Sequence, residues 1–101
     1  MIKHIVMWNL KDEAEGKSKA ENLAAMKAML EALPAKVPGC LELEVATSGL
    51  FESVPPTDIA LYTAFKTKED LKAYAIHPEH QKVVAFIKSV ASERRVIDYE
   101  V

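Results

Sequence analysis

Two of the chain's three histidines fall in one short stretch, AYAIHPEHQ at 73–81. His77 and His80 follow Tyr74 there at spacings of three and six residues. A neutral imidazole accepts a proton near pH 7, and a phenol can donate a hydrogen bond to a developing oxyanion. The residues suit removal of an acidic proton beside a carbonyl, with His80 as the base and Tyr74 holding the enolate oxygen. The third histidine, His4, lies in an alternating segment and faces one side of a sheet. Helical spacing alone does not bring these groups together, because Pro78 disfavours a helical residue ahead of it. His77 is therefore read as the N-cap of a new helix with Pro78 at its first position. His80 then falls in that helix's first turn, where the helix dipole lowers a histidine pKa. The plainer reading of the same residues is architectural: His77 caps, Pro78 starts the helix, His80 bonds the sheet, Tyr74 sits at the core edge and His4 is a satisfied core histidine.

Other chemistries find less support. The histidines are not arranged as HxH or HxxxH, so no metal site is expected. No P-loop, dinucleotide fingerprint or nucleophile elbow is present, and no cofactor is expected. Asp98 and Glu100 share one register of the last segment and read as solvated or salt-bridged carboxylates. Cys40, the single cysteine, reads as a small buried hydrophobe at a strand start. It has no partner within the chain, which fits a reducing compartment; the N-terminal segment lacks a small-residue cleavage site, and a cytoplasmic location is expected. Net charge is −2 and 50% of residues are hydrophobic. There is no basic excess for a nucleic-acid face and no apolar run of the roughly 20 residues a membrane span needs.

The elements that must position these side chains follow from periodicity. Residues 2–9 carry apolar residues in both registers and predict a central strand. Residues 11–22 are polar and read as a loop and the first turns of a helix. Leu23, Met26, Leu30 and Leu33, with Met29 beside them, form a helical stripe, stopped by Pro34 and then Pro38-Gly39. Residues 40–47 alternate as a half-buried strand. Residues 48–57 form a loop whose Leu50, Phe51 and Val54 offer apolar surface to bury. Residues 58–65 predict another strand, and Thr67 caps a short helix with Asp70 three residues on, an imperfect capping box. Val83, Val84, Phe86, Ile87 and Val90 stripe the last helix, and residues 93–101 alternate as a final strand.

The order β-α-β-β-α-α-β, with the two short helices taken as one unit, is the split β-α-β pattern. It predicts a single domain over 1–101 of ferredoxin-like α+β class: a four-stranded antiparallel sheet with helices on one face. Several strands are apolar on both sides, and a bare apolar sheet face invites association. A homodimer through those sheet faces is expected.

Three segments, IKHIVMWNLKDEA, LKAYAIHPEHQKVVAFI and RRVIDYEV, stand at the start, middle and end of the chain. Together they resemble the stress-responsive A/B barrel (Dabb) family, whose most specific marks are the HPxH element between two short helices and the terminal DY strand. The resemblance implies a dimeric α+β barrel. It assigns no single activity, since most bacterial members have no known reaction. One plant member is a polyketide cyclase that closes a linear thioester into an aromatic acid. By resemblance to it, His80 would be the base and Tyr74 the positioning hydroxyl, with His77 and His4 lining the same region. A small apolar carbonyl compound would bind between sheet and helices. The alternative is a non-catalytic structural or stress-protective dimer. Some plant members carry a cation near the end of the first helix, which here would be the Leu33–Gly39 backbone.

Overall fold

In the computed structural model, which describes residues 1–101, the chain runs β1 (Ile2–Leu10), β2 (Glu13–Ala14), β3 (Lys17–Ser18), α1 (Lys19–Lys36), β4 (Cys40–Ala46), β5 (Ile59–Phe65), α2 (Lys68–Ile76), α3 (Pro78–Val90) and β6 (Ala91–Glu100). Four strands make one antiparallel sheet in the order β4-β5-β1-β6. With its three helices this is the ferredoxin-like α+β fold. No helix is long and apolar enough to cross a membrane.

Strand alternation decides which side chains meet the helices. On β1, Ile2, Val6, Trp8 and Leu10 are buried; on β5, Phe65, Leu61 and Ile59 lie opposite the first three, and buried Thr63 opposite His4. Met26, Leu30 and Leu33 of α1, Tyr74 of α2, and Val83, Ile87 and Val90 of α3 close over that face as one core. The other face carries Ile5, Met7, Tyr62, Ile97 and Tyr99 by the same alternation. No element of the chain covers it, and Ile97 is 57% exposed.

The polar stretch after β1 is more ordered than its composition suggests. Glu13–Ala14 pairs with Lys17–Ser18 across a two-residue turn. Glu15 and Gly16 both take positive φ there, 54° and 72°, the pattern a tight hairpin requires. Ser18 then caps α1 through a complete capping box with Glu21. The S-x-x-E spacing of Ser18 and Glu21 is the sequence mark of that box, and it fixes where, inside the polar stretch 11–22, the loop gives way to the first turns of the helix.

One expectation is corrected. Pro34 does not stop α1, which continues to Lys36 and is capped at Val37. A proline in a helix costs about 3 kcal/mol, but continuing the turn buries both Leu33 and Val37 at 2% exposure. Burial of two such side chains contributes a comparable amount, about 1.5–3 kcal/mol each. In the loop at 48–57, Leu50, Phe51 and Val54 stay exposed within the protomer, Phe51 at 98%, so their apolar surface is left open.

The helix break at 77 forms as its sequence requires. Thr67 caps α2 by accepting from the Asp70 N–H. His77 ends α2 and caps α3 with Pro78 at the start of the new helix. The last strand, β6, lies at the sheet edge beyond the helix cover, and nine of its residues are exposed.

Candidate functional site

Because β6 runs past the helices, a space remains between the β1–β6 side of the sheet and α1, α2 and α3. It comprises two neighbouring cavities of about 300 and 310 Å³ that share His4, His80 and Arg94. Strand register places the side chains. His4 lies directly across from Asp98, and Trp8 across from Arg94, in the register that faces the helices. Directly opposed residues bring their Cβ atoms within about 5 Å. Asp98 accordingly accepts a bond from His4 Nδ1. Val6, Leu30, Leu61, Val84 and Ile87 supply the apolar walls of the first cavity.

His80 reaches the cavities from the first turn of α3. Its Nδ1 lies 3.0 Å from the Ala75 carbonyl. A carbonyl only accepts, so Nδ1 carries the proton, and in the neutral ring Nε2 holds the lone pair. Burial lowers the imidazole pKa below its usual value; the Ala75 bond opposes this, and the nearby His4 and Arg94 add to the lowering. The ring is therefore held neutral near pH 7 with a basic nitrogen unbonded within the protein. That is the state a general base needs.

Tyr74 packs between Phe65 and His80, with ring centroids 5.1 Å from each. Its ring borders the second cavity. Its hydroxyl, however, is buried and has no hydrogen-bond partner. Burial, with a smaller contribution from Cys40, raises its pKa well above the usual phenol value. The group stays protonated at any physiological pH and acts as a neutral hydroxyl, not as a phenolate base. Cys40 lies half-buried against the core, where burial pushes its thiol pKa up.

The structure thus brings His4, Tyr74 and His80 together but not His77. The His77 Nδ1 accepts from the Glu79 N–H at 3.1 Å, and its carbonyl accepts from the Gln81 N–H. It borders neither cavity. No cluster of three or more His, Cys, Asp or Glu side chains is placed to hold a metal. At Leu33–Gly39, the Leu33 carbonyl is already engaged by the Val37 N–H at 2.8 Å.

Four side chains at the cavities go beyond the sequence reading: Asp98 as the partner of His4, and Trp8, Lys88 and Arg94. The alternation of β1 puts Trp8 on the same face as His4. Placing Arg94 and Asp98 beside them needs the β1–β6 register, which spacing within a single strand does not contain.

Comparison with known proteins accords with this fold. The profile of the stress responsive A/B barrel domain matches residues 2–101. A stress-response A/B barrel domain-containing protein of Arabidopsis thaliana is 31% identical over 84 residues, which is 83% of this chain and 30% of that protein. The chain spans less than a third of the length of the curated relatives it matches. A dimeric protein of unknown function and ferredoxin-like fold from Bacteroides fragilis is 33% identical, with a TM-score of 0.84 over 99% of this chain and 95% of that one. A hydroxynitrile lyase from Passiflora edulis shares the fold at 17% identity, with a TM-score of 0.81 over 99% of this chain and 92% of that one. The chain belongs to the stress-responsive A/B barrel family.

Proposed function

We propose that this stress-responsive A/B barrel protein acts as a homodimer whose protomers each bind a small apolar carbonyl compound between sheet and helices. One observation carries the reading: His80 is held neutral, with Nε2 unbonded within the protein, beside an apolar-walled cavity of about 300 Å³. That volume lies at the lower end of ligand pockets. His80 is the base in this reading, and His4, oriented by Asp98, lies across the cavity from it. Tyr74 acts first as the ring that His80 packs against; its hydroxyl would need a shift to meet a substrate oxygen. The dimer would join the open sheet faces, burying Ile5, Met7, Ile97 and Tyr99, and dimeric relatives of the same fold support it. Residues 1–101 act as one domain, and the partnerless Cys40 suits the reducing cytoplasm.

The test is proton exchange. Benzoylacetone carries an acidic methylene between two carbonyls, and its exchange in D₂O is followed by NMR. The wild-type protein is expected to accelerate exchange, with saturation in the diketone, and His80→Ala to abolish the saturable part. Binding without acceleration would leave a ligand-binding protein and remove the base.

A second reading, a purely structural dimer, is favoured by one observation: His77 is fully engaged as a helix cap. It predicts that neither the diketone nor any other small carbonyl compound perturbs the signals of His4, Trp8 or His80.

A further inference from the structure

The cavity presents cationic donors that the protein itself does not use. Arg94 borders both cavities, Lys88 the first, and Lys68 and Lys72 the second. The ion pairs of the chain are made by His4, Lys19, Lys27 and Lys82, which leaves these four cations without one. The carboxylate that borders the space, Asp98, is already bonded to His4. A cationic rim here does not reflect bulk composition, because the chain's net charge is −2. In the wall, directly across the strand pair from Arg94, Trp8 is only 5% exposed and its Nε1–H has no partner. An indole nitrogen and a guanidinium are donors only. Polar groups of that kind ask for acceptors, and the planar fork of Arg matches a carboxylate.

We infer that the ligand of this cavity is a carboxylic acid in its anionic form, whose carboxylate is held by Arg94 with Lys88 beside it and whose apolar body lies against Trp8, Leu30 and Ile87. The inference rests on the reading that the cavity binds a small carbonyl compound, and it narrows that compound to an acid. The size fits. A volume of about 300 Å³ equals about ten waters of liquid, room for a single ring with a short acidic chain. The arrangement also separates roles along the cavity. Arg94 and Lys88 fix the charged end, and the apolar wall fixes the body. His80 is left to face what lies between them.

Two probes of matched shape test this: 3-phenylpropionate, and 4-phenyl-2-butanone, in which a methyl ketone replaces the carboxylate. Trp8 is the only tryptophan, so its indole N–H gives one signal in a nitrogen–proton correlation spectrum of the labelled protein. The carboxylate is expected to move that signal and to bind about tenfold or more tightly than the ketone, the scale of a hydrogen bond to a charged group. Arg94→Gln should remove most of that advantage, weakening the carboxylate far more than the ketone. Lys66→Gln, an exposed position bordering neither cavity, should keep it. Equal binding of the two probes to the wild type would overturn the inference and leave the cavity reading standing. So would an advantage that survives Arg94→Gln, or one lost equally in Lys66→Gln. If neither probe moves the signals of Trp8, His4 or His80 at its solubility limit, the cavity reading fails, and the inference with it.

Discussion

The neutral state of His80 is open to a direct thermodynamic test. In His80→Ala the fold loses the bond from Nδ1–H to the Ala75 carbonyl, 3.0 Å long, worth about 1 kcal/mol net. The carbonyl is not left bare, because Gln81 Nε2 also donates to it at 2.6 Å. The fold also loses the packing of the imidazole on Tyr74 at 5.1 Å, worth about 0.5–1.5 kcal/mol for an aromatic pair. The sum is about 2 kcal/mol near neutral pH, or a fall in Tm of roughly 8–16 °C at fixed protomer concentration. The pH dependence carries the diagnostic. In the unfolded chain His80 takes up its proton near the usual value of about 6.5; in the fold, burial lowers that value. Between the two, the unfolded chain binds more protons, so stability falls as pH falls. The stabilisation is complete above about pH 6.5 and is lost as pH falls through the folded pKa. His80→Ala has no such loss. The Tm gap between wild type and variant, measured by circular dichroism at pH 7.5 and 5.5, should therefore narrow on acidification. Carboxylates common to both proteins largely cancel in the difference. A gap that stays constant or widens would mean His80 accepts its proton in the fold without cost, and the argument for a neutral base would be refuted.

Other positions give independent checks. Ile97→Arg on the open face, opposite Ile5, should convert a dimer to a monomer in light scattering behind size exclusion; an unchanged mass would place the interface elsewhere. Ser18→Ala breaks the capping box and should cost about 1 kcal/mol in denaturant unfolding. Met26→Ala, at a fully buried site, should cost about 2–5 kcal/mol by the same measure. His77→Ala should cost about 1 kcal/mol as a lost cap without changing the affinity of any small ligand seen by Trp8 fluorescence; a ligand effect equal to that of His80→Ala would return His77 to the cavity.

These predictions divide along what the sequence made legible. Element order, the sheet faces and the break at His77-Pro78 were all readable, because each rests on local rules: alternation along a strand, the stripe of α1, and the conformational bias ahead of proline. The β2–β3 hairpin was not, since its turn residues are Glu15-Gly16 rather than the stronger Asn-Gly or Asp-Gly signal. Nor was the helical course of Pro34, where the burial of Leu33 and Val37 outweighs a local penalty. In both, a weak local cue is overridden or completed by contacts distant in sequence.

The same distinction separates the two histidines of HPEH. The role of His77 is local: its Nδ1 and carbonyl are both used within four residues, and Pro78 alone announces it. The setting of His80 is non-local. Its Nδ1 is fixed by Ala75, but the groups across the cavity from it, His4 with Asp98 and Trp8 with Arg94, belong to the first and last strands. They meet it only because β1 pairs with β6 in one register. A slip of one residue in that pairing would turn Asp98 and Arg94 to the opposite sheet face, leaving His77 as good a cap as before and His80 beside an emptier wall. A motif confined to 74–80 can therefore persist in a chain that builds no such cavity. On the proposed function, relatives that share the activity are expected to carry a carboxylate and a guanidinium four residues apart on the last strand, across from a histidine and a tryptophan on the first.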